Sequence, residues 1–119
     1  MSDYDAIRNT IFDYFDGLKT ADRSRLERAF AVAACHMKGY LRNKNGDYEL
    51  SVRPMNEVID EWSARQPAPD MQGRILAINI YGGIAAQALF DFNGVYLDAF
   101  QLAKIDGHWR IVNKFFIGQ

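Results

Sequence analysis

The chain has 119 residues, 49% of them hydrophobic, and a formal net charge of −1. This length is typical of one domain of about 100–150 residues, so we expect a single domain over residues 1–119. The charge balance lacks the positive field that phosphate binding needs, which argues against a nucleic-acid-binding protein. One cysteine excludes an internal disulfide framework, and no apolar run approaches the roughly 20 residues that cross a bilayer. Without a recognisable secretion signal, we expect a cytoplasmic protein with no membrane partner.

Three segments carry apolar residues at the three-to-four-residue spacing of an amphipathic helix. Their apolar faces consist of Ile7, Ile11, Phe15 and Leu18; of Leu26, Ala29, Phe30 and Ala33; and of Met55, Val58, Ile59 and Trp62. Ser2 or Asp3 can cap the first helix and Asp22 or Thr20 the second, while Pro54 fixes the start of the third. The sequence therefore predicts two short antiparallel helices in the first third of the chain and a third helix after Pro54.

Strands are predicted before the third helix and throughout the last third of the chain. Asn45-Gly46 readily takes the positive φ angles of a tight turn and predicts a small hairpin. Four β-rich runs follow later, at about Gly73–Tyr81, Ile84–Phe92, Val95–Ile105 and His108–Ile117. The links between them are too short for parallel crossovers, so we expect an antiparallel meander.

Strand faces follow if each connection in the meander is a two-residue turn without bulges. The face predicted to meet the helices carries Leu76, Ile78, Ile80, Ala85, Gln87, Leu89, Tyr96, Asp98, Phe100, Leu102, Trp109, Ile111, Asn113 and Phe115. The opposite face carries Ala77, Asn79, Tyr81, Ala86, Ala88, Phe90, Leu97, Ala99, Gln101, Val112, Lys114 and Phe116. This second face is too apolar to be fully solvated, so we expect a partner to cover it, most simply another copy of the chain.

The closing stretch, Asp106-Gly-His-Trp-Arg-Ile-Val-Asn-Lys114, following three helices, resembles the nuclear transport factor 2-like superfamily. Within it, the chain is most similar to the putative lumazine-binding branch, near SnoaL-like polyketide cyclases and ketosteroid isomerases. The resemblance implies a cystatin-like α+β cone, in which a curved antiparallel sheet wraps a helix-lined pocket, usually in a homodimer. Members include both enzymes and scaffolds, so the fold does not assign an activity.

One departure from the family pattern limits what can be transferred. Relatives commonly carry Phe-His-Pro-Asp-Ala after the second helix, where this chain has Phe30-Ala31-Val32-Ala33-Ala34. An activity that relied on that histidine and aspartate is therefore not implied here.

Asp98 is the most informative single residue, because it lies between aromatic residues on the face predicted to meet the helices. Burial there would favour its protonated form unless donors surround it. The resemblance to ketosteroid isomerases implies a proton-transferring base, with donors that stabilise an enolate oxygen. Asn113, diagonal to Asp98 on the adjacent strand, and Tyr14 on the first helix could supply such donors. The alternative is structural: Asn113, Lys114 or backbone amides hold Asp98 ionised, and it only orders the sheet.

Three other residues, Cys35, His36 and Lys114, have side chains capable of chemistry. His36 could face the pocket mouth and shuttle a proton, although an exposed or hydrogen-bonded histidine is commoner. Cys35 cannot pair with His36 on a strand, because neighbours project to opposite faces, and we expect it to be a small buried hydrophobe. Lys114 is predicted to lie on the outer face, but one bulge would turn it inward.

The leading hypothesis is a small-molecule-binding protein with an apolar or aromatic pocket between helices and sheet. The aromatic residues predicted to contact the ligand are Phe15, Trp62, Tyr96, Phe100 and Phe115. Two alternatives stay open: an isomerase, cyclase or dehydratase with Asp98 as base, and a dimeric interaction module without a ligand. No metal-ligand spacing and no phosphate-binding glycine loop is present, so we expect no metal and no cofactor.

Overall fold

The computed structural model describes all residues from Met1 to Gln119 and contains three helices and six strands. In chain order these are α1 (Asp3–Thr20), α2 (Arg23–Ala29), β1 (His36–Arg42), β2 (Tyr48–Pro54), α3 (Met55–Ser63), β3 (Gly73–Tyr81), β4 (Ala85–Phe92), β5 (Tyr96–Ile105) and β6 (His108–Gly118). The strands form one sheet in the order β2-β1-β6-β5-β4-β3. The predicted α+β class is confirmed.

For each of the first two helices, one of the two predicted cap candidates is the cap in the structure: Ser2 for α1 and Asp22 for α2. The Ser2 hydroxyl accepts a hydrogen bond from the Asp5 amide at 3.1 Å, and the Asp22 carboxylate accepts one from the Arg25 amide at 3.3 Å. These bonds satisfy amide groups that have no partner within the helix. Helix α1 ends at Ala21, whose φ of 54° reverses the chain towards α2.

Two of the three connections in the β3–β6 meander are one residue longer than predicted. Tyr81 pairs with Ala85, and Phe92 pairs with Tyr96, so each loop holds three residues. The third connection has the predicted length, because Ile105 pairs with His108 across Asp106-Gly107. Both residues of that turn have positive φ, 51° and 81°.

The longer loops reverse the predicted faces of β4. Ala86, Ala88 and Phe90 point into the core, whereas Gln87 and Leu89 point outward. A shift of one residue exchanges the two faces of a strand, which explains the error. The second loop shifts the register back, so β5 keeps its predicted orientation.

A β-bulge reverses the predicted faces in the second half of β6. Gln101 pairs with Asn113 but the next residue, Leu102, pairs with Ile111, which leaves Val112 as the extra residue. Beyond the bulge, Lys114 faces the helices and Asn113 faces outward, the opposite of the prediction.

The β1–β2 hairpin extends the sheet beyond the meander. It was predicted as a hairpin, but its parallel pairing with β6, from His36↔Asn113 to Tyr40↔Ile117, was not. Gly39 lies in this seam, where an added Cβ would come within 2.7 Å of the Phe116 ring. The absence of a side chain at Gly39 therefore leaves room for Phe116 on the inner face.

The hydrophobic core lies between the helices and the inner face of the sheet. Tyr14 is at its centre, with its ring 5.6 Å from that of Phe30 and 5.5 Å from that of Phe100 in edge-to-face geometry. Such pairs are worth about 0.5–1.5 kcal/mol each beyond their buried area. No helix has the length and apolar character needed to span a membrane.

Candidate functional site

Three polar side chains from three elements meet inside the protein. The Tyr14 hydroxyl on α1 donates a hydrogen bond of 2.8 Å to Asp98 Oδ2 on β5. Lys114 Nζ on β6 lies 3.4 Å from the other carboxylate oxygen of Asp98. Exposed fractions are 1% for Tyr14, 1% for Asp98 and 3% for Lys114. We call these three residues the polar cluster.

The sheet register brings the cluster together. Lys114 pairs directly with Phe100, and Asp98 is two residues from Phe100 on the same strand, so the two charges are diagonal neighbours on the inner face. The bulge at Val112 is essential to this arrangement, because without it Lys114 would point away from the helices. Tyr14 reaches the pair from α1, which packs against this face.

Burial dominates the electrostatics of the cluster. It raises the pKa of Asp98 above its ordinary value, and the contacts with Lys114 and Tyr14 only partly oppose this effect. It also lowers the pKa of Lys114, which the nearby carboxylate only partly restores. Burial and the Asp98 charge together raise the pKa of Tyr14 well above 10.0, so the phenol stays a hydrogen-bond donor.

Aromatic rings surround the Lys114 amine. Its Nζ lies 4.3 Å from the centroid of the Phe116 ring, 5.5 Å from that of Tyr14 and 5.9 Å from that of Trp62. Ring faces attract a cation, which partly offsets the loss of water around the amine. Apart from Asp98, the surroundings of Lys114 are therefore mainly apolar.

The polar cluster lines a cavity of about 260 Å³ between the helices and the sheet. Its walls are Tyr14, Leu18, Met37, Arg53, Glu61, Trp62, Arg65, Phe92, Tyr96, Asp98, Lys114 and Phe116. Three charged side chains form its solvent side: Arg53 Nη2 lies 2.8 Å from Glu61 Oε2, and Arg65 also contacts Glu61. These two arginines lower the pKa of the Glu61 carboxyl.

The structure places four of the residues predicted for the site around this cavity: Tyr14, Trp62, Tyr96 and Asp98. Phe15 and Phe100 were predicted to contact a ligand, but they lie in the packed core outside the cavity lining. Both face inward as expected, but neighbouring side chains cover their rings.

Three other predicted site residues lie on the opposite face of the sheet. Asn113 and Phe115 are turned outward by the bulge, and Asn113 Oδ1 accepts a hydrogen bond of 2.7 Å from Lys38 Nζ. His36 pairs with Asn113, so it shares that outer face and is exposed. None of the three lines the cavity, and the placements predicted for them are wrong.

Lys114, Arg53, Glu61 and Arg65 are the polar cavity residues that the sequence did not assign to a site. The only sequence signal for Lys114 was that a bulge would turn it inward. The other three come from β2 and α3, where they resemble ordinary surface charges.

Cys35 does not have the features of a nucleophile. It is buried, and burial raises the pKa of its thiol to about 12. The thiol is therefore almost wholly protonated near neutral pH.

A second concavity lies on the outer face of the sheet, with a volume of about 430 Å³. Four amide side chains cross it in one row through paired residues: Asn79, Gln87, Gln101 and Asn113. An adjacent row contains Leu89 and Phe115, which pair with Ala99 from either side. The outer face is thus both apolar and amide-rich.

A family match shows which proteins this chain is related to. The profile of a family described as "Putative lumazine-binding" matches residues 2–117. The chain belongs to this family. Together with structural neighbours described as nuclear transport factor 2-like, this places it in the nuclear transport factor 2-like superfamily. No curated protein gives a significant match.

Solved structures support the fold. A nuclear transport factor 2-like protein of unknown function from Shewanella baltica is 27% identical, with a TM-score of 0.81, 98% of this chain and 93% of that chain covered. A domain of unknown function with a cystatin-like fold from Nostoc punctiforme has a TM-score of 0.68 at 12% identity, covering 98% of this chain and 77% of that chain. A ketosteroid isomerase-like protein from Erwinia carotovora has a TM-score of 0.65 at 14% identity, covering 96% and 94%. The predicted cystatin-like fold is confirmed.

Proposed function

We propose that this family member binds a small, partly aromatic molecule in the cavity between the helices and the sheet. The observation that carries the proposal is the position of the polar cluster, whose buried charges line a cavity instead of being sealed within packed side chains. Burying an ion pair has a large desolvation cost and is weak evidence for a stabilising role. A role in ligand binding would explain why the fold keeps these charged groups despite that cost.

The cavity walls define the chemistry of the ligand. Rings of Trp62, Phe92, Tyr96 and Phe116 favour a planar or apolar body. Lys114 favours an acceptor group such as a carbonyl at the inner end. The volume of about 260 Å³ is near the lower end of ligand pockets, which are roughly 300–1,000 Å³, so a compact molecule is favoured.

Lumazine is the first compound to test, because the family description names it. It is a planar heteroaromatic molecule with carbonyl acceptors, which agrees with the aromatic walls and the amine of Lys114. Aromatic ketones and steroid-like or polyketide-like compounds complete the panel.

Thermal unfolding with this panel tests the proposal. A compound at 100 times its Kd should stabilise the fold by about 2.7 kcal/mol and raise Tm accordingly. Leu18→Phe, which adds volume inside the cavity, should weaken the shift. Leu50→Phe is the matched control, because Leu50 is 60% exposed and lies outside the cavity. The proposal fails if no compound raises Tm, or if both variants respond like the wild type.

Proton-transfer catalysis is a second candidate function. Its support is the raised pKa of Asp98 within reach of a cavity ligand, which is the condition for a carboxylate base near neutral pH. In this arrangement Lys114, and not Asn113, would polarise the substrate carbonyl. Asp98→Asn should then abolish isomerase, cyclase or dehydratase turnover while ligand binding persists; equal loss of both would leave Asp98 a binding residue.

We also propose a homodimer formed through the outer sheet face. Amides both donate and accept, so the row of Asn79, Gln87, Gln101 and Asn113 can pair with its own copy across a twofold axis. The neighbouring apolar row supplies area to bury, with Leu89 still 41% exposed. Such a dimer would leave the cavity open, because the cavity lies on the opposite side of the sheet.

A further inference from the structure

We propose that Lys114 forms a covalent imine with an aldehyde or ketone that enters the cavity. This inference rests on the proposed function, because the cavity must first admit a ligand. It adds the substrate class, a carbonyl compound, and the reacting atom, Lys114 Nζ.

The geometry leaves the amine free to react. Lys114 Nζ has three donors and one ion-pair partner, Asp98 Oδ1, at 3.4 Å. Close charge-assisted N–H···O bonds are shorter, about 2.7–2.9 Å, so the contact does not hold the amine tightly. The other near neighbours are ring faces, and the side chain lines the cavity. An incoming carbonyl carbon can therefore reach the nitrogen without displacing a strong hydrogen bond.

The charges around Lys114 are compatible with a nucleophilic amine. The titratable and charged groups facing it are Asp98 on β5, Tyr14 on α1, Cys35 before β1, and the more distant Arg53, Glu61 and Arg65 at the cavity mouth. Burial outweighs the attraction of Asp98 and lowers the pKa of Lys114, which increases the share of free amine. A lysine desolvated among apolar side chains is a recognised way to activate this nucleophile.

Neighbouring groups can supply each proton transfer. The Lys114 ammonium gives one proton to Asp98, and the free amine attacks the carbonyl carbon to form the C–N bond of a carbinolamine. The former carbonyl oxygen takes up protons from the nitrogen and from Asp98, the C–O bond breaks, and water leaves. Lysine ammonium and carbonyl thus become a protonated imine and water, with the Asp98 carboxylate restored beside the positive charge. No oxidant or reductant takes part.

Reductive trapping tests the inference on the intact wild-type protein. Benzaldehyde is the probe, since its ring suits the aromatic wall, and sodium cyanoborohydride converts any imine into a stable benzylamine. Peptide mapping by mass spectrometry at pH 7 then measures benzylation at each lysine. We expect the labelling rate at Lys114 to exceed that at Lys38 several-fold, because the cavity holds benzaldehyde beside the Lys114 amine and burial lowers the pKa of that amine. Labelling at Lys38 without Lys114 would overturn the inference.

A pair of lysine variants gives a matched control. Lys114→Arg keeps the charge beside Asp98 and should remove the dominant adduct. Lys38→Arg makes the same change on the outer face, where Lys38 donates to Asn113, and should leave the Lys114 adduct unchanged. If Lys114→Arg does not fold, the wild-type peptide map alone decides. An unchanged total adduct in a folded Lys114→Arg protein would contradict the inference.

Benzyl alcohol separates this inference from the proposed function. It has the same ring but no carbonyl, so it should raise Tm and slow labelling of Lys114 without forming an adduct. If both compounds raise Tm but Lys114 stays unlabelled, the imine is refuted and the binding cavity stands. If neither of these compounds nor any member of the panel raises Tm and Lys114 stays unlabelled, both proposals fail.

Discussion

Lys114 Nζ lies 3.4 Å from Asp98 Oδ1, at a place where the two side chains are only 4% and 1% exposed. The pair is formed by diagonal residues on β5 and β6 and exists because a bulge precedes Lys114. The Tyr14 hydroxyl donates a hydrogen bond to the second carboxylate oxygen of Asp98, which links α1 to the ion pair. The interior of this protein therefore holds an ion pair at the edge of a cavity.

Breaking the pair from one side should strongly destabilise the fold. Asp98→Asn or Lys114→Met alone should each lower the free energy of unfolding by about 3–5 kcal/mol, because an unpaired buried charge or donor is left behind. The double variant should lose less than the sum of the single losses. Urea unfolding of all four proteins measures this coupling, and additive losses would contradict a coupled pair.

A surface pair provides the control for that cycle. Arg23 Nη2 lies 2.6 Å from Asp60 Oδ1, but the side chains are 48% and 66% exposed. Asp60→Asn should therefore cost less than about 1 kcal/mol, since water screens exposed charges.

The stability contributed by Asp98 should decrease as the pH rises. Its folded pKa is raised above 3.8, so between 3.8 and that raised value the folded state binds more protons than the unfolded state. The stability difference between wild type and Asp98→Asn should thus narrow with rising pH in this window. Asp13 is the control, because its contribution to the free energy of unfolding should follow the opposite trend with pH. The pKa of Asp13 is lowered in the folded state, so the stability that it contributes should disappear as the pH falls below 3.8. Urea unfolding at a series of pH values measures both trends. If the stability difference between wild type and Asp98→Asn widened with rising pH, the pKa of Asp98 would not be raised in the folded state.

Gly39 should tolerate alanine poorly. The new Cβ would meet the Phe116 ring at 2.7 Å, and such overpacking costs about 1–3 kcal/mol. The displaced ring would also enter the cavity, so ligand-induced shifts in Tm should decrease. Adding Phe116→Leu to Gly39→Ala should recover part of the stability. Unchanged urea midpoints in Gly39→Ala would show that the seam between β1 and β6 is looser than described.

The outer sheet face should control the oligomeric state. Leu89→Lys, near the centre of that face, should convert a dimer into a monomer in sedimentation velocity experiments, because a buried unpaired charge is costly. Ile84→Lys is the control, since Ile84 lies in the β3–β4 loop and is 68% exposed. A wild-type protein that stays monomeric at high concentration would contradict the proposed dimer.

Local chemistry made several parts of the fold predictable. The starts of α1 and α2 were predicted to within two candidate caps each, because few residue types satisfy free helix amides; Ser2 and Asp22 are the ones that do so. Asp106-Gly107 marked the β5–β6 turn because both positions need positive φ. The placement of Asp98 on the inner face was predicted for an incomplete reason, since two errors in loop length cancelled before β5.

The composition of the site depended on features that local sequence does not determine. Gly82-Gly83 and Asn93-Gly94 are compatible with two- and three-residue loops alike, so the faces of β4 could not be fixed. Nothing at Val112 marks a bulge, yet that residue decides whether Lys114 or Asn113 faces the cavity. Arg53 reaches the cavity through the long-range pairing of the β1–β2 hairpin with β6.

Methyl NMR of the methionines tests the central claim most directly, because Met37 lines the cavity and Met71 does not. With selectively labelled methyl groups, titration of the compound that most raises Tm should move the Met37 signal saturably and leave Met71 unchanged. The account predicts a shift of the Met37 signal. A ligand site beside Lys114, Asp98 and Tyr14 would be contradicted if a bound compound shifted the Met71 signal but not the Met37 signal, or if no compound of the panel shifted either signal.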